Sequence, residues 1–252
     1  MQFLTDHAFL LQFSTTELIY SGLVFAWAGF VRSGLGFGGA ALGLPLMLFI
    51  YDQPLFWLPV IGFHLLFFSA LTLRTRIHHV DWDYIKHSSI FILPAALAGV
   101  FGLLNLPNQW LLIFIYSITL IYAFLWLTNI NIHSDRAWLD KVLLIVGGYI
   151  AGTSLTGAPL MVAVYMRHVM QSQLRNTLFV LWFMLVSMKM TTFAVMNVDL
   201  HFFSALLLLP IAAVGHIIGL KTHDLILQND RLFKRIIGGL LIVICLLGLI
   251  YL

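Results

Sequence analysis

Apolar blocks of roughly 15 to 22 residues follow one another along nearly the whole of this chain, a length that matches helices crossing a hydrocarbon layer of about 30 Å. Inside such a layer every backbone N–H and C=O must find its partner within the protein, so only helices and closed barrels cross it. The blocks are continuous rather than alternating, which argues against a barrel. Composition agrees. With 61% hydrophobic and 9% charged residues and a mean hydropathy of +0.99, the chain lacks the polar surface of a water-soluble domain. The expected fold is therefore an all-α integral membrane protein, residues 1–252 forming a single membrane domain with no soluble domain left over. The opening MQFLTDHAFLLQF has no basic start and no small-residue cleavage site, and reads as an interfacial lead-in rather than a cleaved signal. A single cysteine, Cys245, makes no internal disulfide and reads as a small packed hydrophobe.

Hydropathy places apolar segments at roughly 17–32, 39–51, 55–74, 84–104, 109–128, 138–152, 158–166, 175–195, 202–220 and 234–252. Two pairs are abnormally short, at 17–51 and 138–166, each interrupted by a stretch rich in small residues. Either pair could be two full crossings or two half-helices meeting as a re-entrant hairpin, and both alternatives return the chain to the same side. On that count the loops at 74–87, 129–141, 167–175 and 221–235 share one side and hold Arg74, Arg76, Lys86, Arg136, Lys141, Arg167, Arg175, Lys221, Arg231, Lys234 and Arg235. The opposite side carries only acids: Asp6, Glu17, Asp52 and Asp199. The positive-inside rule makes the basic side cytoplasmic and predicts a multi-pass protein of the cell (inner) membrane with both termini extracytoplasmic. Arg32 and Lys189 are left within the blocks.

The order of segments repeats. Each half has a short pair, a long helix, a Val-Asp loop (HVDW at 79–82, NVDL at 197–200), a long helix with a proline five residues before a glycine (Pro94 and Gly99, Pro210 and Gly215), and a last helix. Five segments per half would make the second copy, 138–252, inverted with respect to the first, 17–128, an arrangement of secondary transporters.

Matching interruptions in two such halves point to a substrate site. Backbone N–H groups opening the helix after a break lack intrahelical acceptors, and the helix dipole puts partial positive charge there, so an anion is the natural guest. In the first break, Gly34, Gly36, Gly38 and Gly39 let a ligand approach the backbone, with Arg32 and Ser33 beside them and Pro45 beyond. In the second, Thr153, Ser154 and Thr156 supply hydroxyls, Gly157 an open N–H, and Gly152 and Pro159 shape the break. Arg32 has no neighbouring acid within the membrane sequence, and a bound anion would serve as its partner. The alternative for Arg32 is snorkelling to the cytoplasmic surface, and for the glycines, close helix packing. Lys189 either snorkels or lines the pathway, and Arg175 and Thr177 could help hold the second break, with a cytoplasmic loop charge as the alternative for Arg175.

The acids offer no evident carboxylate relay, which leaves His64 and His216 as intramembrane titratable groups for coupling, or as hydrogen-bonded structural histidines; His201 falls at the outer interface. His78 and His79 have no further ligand cluster, so no metal is expected. No GxxxxGK[ST] loop, HExxH or credible Ser/His/Asp set is present, so no enzyme activity and no cofactor are expected, and transport would run on an ion or substrate gradient.

GFVRSGLGFGGA at 29–40 followed by LGLPLM, VDW at 80–82, and GTSLTGAPLMVAVYMRHVMQSQLRNTL at 152–178 resemble the repeated signature of the TauE/SafE family of sulfite exporters, across about 17 to 252. The resemblance implies export of sulfite, sulfoacetate or a related organosulfur anion, and supports Gly36, Gly38, Gly39 and Pro45 in one half with Gly152, Gly157 and Pro159 in the other. Ala40 stands where a glycine is usual, and the second break is shorter and poorer in glycine, which allows a different substrate. The expected function is a secondary transporter working by alternating access, with substrate near the midplane between the breaks. Its partners are a small anion and the bilayer, no nucleic acid is expected, and a homodimer is left open. The alternatives are a passive anion channel on the same scaffold and a membrane assembly subunit without transport.

Overall fold

The computed structural model describes residues 12–35, 39–74, 77–130, 132–228 and 230–252. The lead-in at 1–11, Gly36 and Gly38 of the first break, and Arg76 lie outside them. Regular structure among the described residues is helical: α1 (Thr15–Leu35), α2 (Gly39–Ile50), α3 (Pro54–Leu73), α4 (Trp82–Asn105), α5 (Asn108–Thr128), α6 (Ala137–Ser154), α7 (Ala158–His168), α8 (Gln171–Val195), α9 (Phe202–Gln228) and α10 (Asp230–Ile250), with a 3-10 turn at Ile77–His79. Seven of these helices are long and apolar enough to cross a membrane: α1, α3, α4, α5, α8, α9 and α10. The protein is an all-α, multi-pass membrane protein.

Local chemistry explains the ends. Ser14 and Glu17 form a capping box before α1: Ser14 N donates to Glu17 Oε2 at 2.7 Å and Glu17 N to Ser14 Oγ at 3.3 Å. Asp81 caps α4 by accepting from Tyr84 N at 2.9 Å. Two boundaries differ from the hydropathy reading. α8 starts at Gln171, so Arg175 and Thr177 are in its first turns and not in a loop; QSQLRNT is polar, which lowers hydropathy, yet nothing in it breaks a helix. α9 likewise runs on to Gln228, because hydropathy follows the bilayer and not the helix.

The chain forms two compact units, each drawing on both halves of the sequence. The first comprises residues 1–61, 107–131 and 199–252, hence α1, α2, the start of α3, α5, α9 and α10. Val31, Leu35, Leu42, Ala123, Ile237 and Leu241 make its core, with Trp27, Phe30, Trp126 and Phe233 around them. His201 meets Phe56 edge to face with ring centroids 4.6 Å apart. α1 packs along α9 with almost no side chain between: a Cβ on Gly29 would run into the Ala212 carbonyl oxygen, and one on Gly215 into that of Ala26. Helices in lipid associate by such close backbone approach, since lipid tails are as apolar as leucine.

The second unit comprises residues 62–106 and 132–198, hence the rest of α3 with α4, α6, α7 and α8. α6 packs along α4 in the same manner: a Cβ on Gly152 would meet the Ala96 carbonyl oxygen, and one on Gly99 that of Tyr149. The register matches as well. Ala26 and Gly29 are three residues apart, as are Tyr149 and Gly152, while Ala212 and Gly215 share the spacing of Ala96 and Gly99. α6 ends at Leu155, whose φ of 60° puts a branched side chain in the left-handed region, a strained conformation that turns the chain into α7.

Candidate functional site

The first break separates α1 from α2 inside the first unit. Arg32 is only 6% exposed, so it does not snorkel to the surface. Its Nη2 lies 3.3 Å from His216 Nδ1 on α9. Ser33 Oγ also contacts that nitrogen closely, and donates to Gly29 O at 2.9 Å. Within the protein, Arg32 thus has an imidazole beside it. His223 Nδ1 sits 2.6 Å from the Gly34 carbonyl oxygen and so caps the last turn of α1. Gly39 opens α2 against α1: its Cβ would lie 2.8 Å from Ala28 O and 2.9 Å from Arg32 Cβ. Glycine there brings the start of α2 against the Cα and Cβ of Arg32. Pro45 lies buried within α2.

The second break separates α6 from α7 inside the second unit. Its hydroxyls are turned on their own backbone: Thr153 Oγ1 donates to Tyr149 O at 2.9 Å and reaches Gly99 O at 3.2 Å, and Ser154 Oγ donates to Ile150 O at 3.0 Å. Thr156 Oγ1 pairs with Ser154 Oγ at 2.5 Å. A Cβ on Gly157 would run into Gly147 O, so this glycine serves the close packing of the turn on α6. Pro159 follows in the first turn of α7, where its missing N–H costs nothing. Lys189, 1% exposed, reaches in from α8 and donates to the carbonyls of Gly152 at 2.8 Å and Thr153 at 3.1 Å. Buried in this way it does not snorkel, and it caps the negative end of α6.

A family model described as Sulfite exporter TauE/SafE matches residues 21–247. The chain belongs to the TauE/SafE family. Among curated proteins and among solved structures there is no match. The family is one of membrane transporters, and the match runs through both breaks of this TauE/SafE protein.

Other residues singled out from the sequence lie elsewhere in their units. His64, 4% exposed on α3, packs against Phe63 and Phe68 with ring centroids 6.2 and 6.4 Å away. Arg175 lies over the Phe179 ring, 5.7 Å from its centroid. Thr177 accepts from Asp81 N at 3.0 Å, fastening the start of α4 to α8.

Sequence reasoning missed one polar cluster of this TauE/SafE protein. Asp140, in the first turn of α6, is buried and accepts from Arg167 Nη1 at 3.0 Å and pairs with His168 Nε2 at 2.8 Å, with Ser134 Oγ on its other oxygen. The ring of His168 stacks on Tyr84, centroids 5.0 Å apart. An acid opening one arm of a short hairpin and a basic pair closing the other was the signal that could have found this latch.

Proposed function

We propose that this protein exports a small sulfur-containing anion, sulfite or a small organosulfonate such as sulfoacetate, across the cell membrane as a secondary transporter. The observation that carries this reading is Arg32: a buried arginine on the last turn of α1, whose Cβ lies against the glycine that opens α2. A guanidinium offers paired N–H groups to the oxygens of a sulfur oxyanion, and the free N–H groups of the α2 first turn add partial positive charge at the same place. Ser33 adds a hydroxyl one residue on.

The halves act as inverted repeats under alternating access, with both termini extracytoplasmic. Support comes from the matched glycine spacings of α1 on α9 and of α6 on α4, two helix pairs of the same kind built from corresponding segments. Alternating access needs a pathway that opens to each side in turn, and interrupted helices at corresponding places suit it.

The test is sulfite efflux from vesicles reconstituted with the pure protein. Wild-type flux is expected to saturate and to show counterflow, and R32Q is expected to lose roughly ten- to a hundredfold, the cost of removing a charge-assisted contact worth about 1.5–3 kcal/mol. Undiminished flux in R32Q would remove Arg32 from the site. Ohmic single-channel currents would replace the carrier with a channel.

A further inference from the structure

Two groups meet one nitrogen at the first break, Arg32 Nη2 and Ser33 Oγ at His216 Nδ1. A guanidinium has only donors, so Arg32 Nη2 can approach His216 Nδ1 at 3.3 Å only while that nitrogen presents its lone pair. The ring is then neutral, with its proton on Nε2. Ser33 Oγ touches the same Nδ1 and is also within reach of Gly29 O, so its one proton can go to the lone pair or, once the lone pair is taken, turn to the carbonyl and leave the oxygen to accept.

We infer that His216 Nδ1 is a proton site mutually exclusive with its contact to Arg32, so that proton uptake releases Arg32 toward the start of α2 and the protein binds an anion and a proton together. This rests on the transport reading above and names how its site is regulated. The balance is simple. A proton from water takes the Nδ1 lone pair and Nε2 keeps its own. The new N–H donates to Ser33 Oγ, whose own proton stays on Oγ and turns to Gly29 O. Two cations then face each other, and Arg32 leaves for the adjacent α2 end, where an anion neutralises it. The short step is available because Arg32 Cβ already lies against the Gly39 position.

Among the described side chains, these charged and titratable groups bear on His216. Arg32 faces it from α1. α2, packed on α1, has no titratable residue from Gly39 to Ile50. On α9 itself His223 is engaged with Gly34 O, and Lys221 lies exposed. α10 brings Arg231, Lys234 and Arg235 in its exposed or half-exposed first turns.

The experiment measures binding of methanesulfonate, which stays singly charged throughout, to the full chain in nanodiscs from pH 5 to 8.5, together with proton uptake read by a pH indicator. Linkage requires wild-type affinity to rise as pH falls, by up to about tenfold per pH unit, with up to about one proton taken up per anion. H216N keeps an acceptor near the Nδ1 position that cannot titrate, and is expected to bind weakly at every pH. H216L has no acceptor and is expected to bind at every pH as tightly as wild type does in acid. The two variants predict flat profiles at opposite levels, so either one alone tests the idea should the other fail to fold. A flat wild-type profile, or a wild-type slope retained in H216N, would overturn the proton site while leaving the anion site standing. No methanesulfonate binding at any pH would overturn both.

Discussion

The two breaks occupy corresponding places in the sequence and put their buried cations to opposite uses. At the first, Arg32 belongs to the helix that ends there and lies beside the helix that begins. At the second, Lys189 comes from α8 and is tied to the carbonyls of the helix that ends, Gly152 and Thr153. A lysine on two carbonyls completes a helix, whereas the arginine meets an imidazole from α9. The helix packing beside the two breaks is alike and the polar chemistry is not.

The shared part is the easier to break. G29L and G152L each drive a side chain into a backbone carbonyl that has no room to yield, so both are expected to cost about 4 kcal/mol or more and to leave little folded protein in a detergent-solubilised size-exclusion profile. Folded G152L beside lost G29L would mean that the two packings are not equivalent. Next is the cations' difference. K189M strands two buried carbonyls and is expected to lower stability by about 1–3 kcal/mol, read as a fall in melting temperature, whereas R32Q is expected to melt close to wild type while losing flux. The reverse pattern would exchange their roles. The smallest effect separates the caps: T156V removes the hydroxyl paired with Ser154, and H223A the imidazole on Gly34 O, each expected to cost about 0.5–1.5 kcal/mol by the same melting assay.

Much of this was legible in the residues because the bilayer imposes a length on each element. Every helix lies close to an expected apolar block, and the departures at Gln171 and Gln228 come where helix continues past the hydrocarbon. The short pairs at 17–51 and 138–166 were visible for the same reason. The side-chain partners were not. Arg32 and His216 are 184 positions apart, and no local pattern reports that α1 lies along α9. The hydroxyls of Thr153 and Ser154 looked free for a ligand, yet each sits four residues after a carbonyl it can reach along its own helix, a bond open to any buried helical serine or threonine. Asp140 escaped notice because an acid near a block edge looks like loop charge until α7 folds back and brings Arg167 and His168 to it.

The pairing of α1 with α9 has a consequence for how the protein is made. α1 carries Gly29 and Arg32 on faces that α9 covers, with Arg32 and His216 184 positions apart, whereas α4 meets α6 after a short interval. During synthesis α1 therefore waits, with bare backbone and a cation turned toward lipid or toward the insertion machinery, until α9 emerges. Truncation anywhere before α9 leaves that wait without an end.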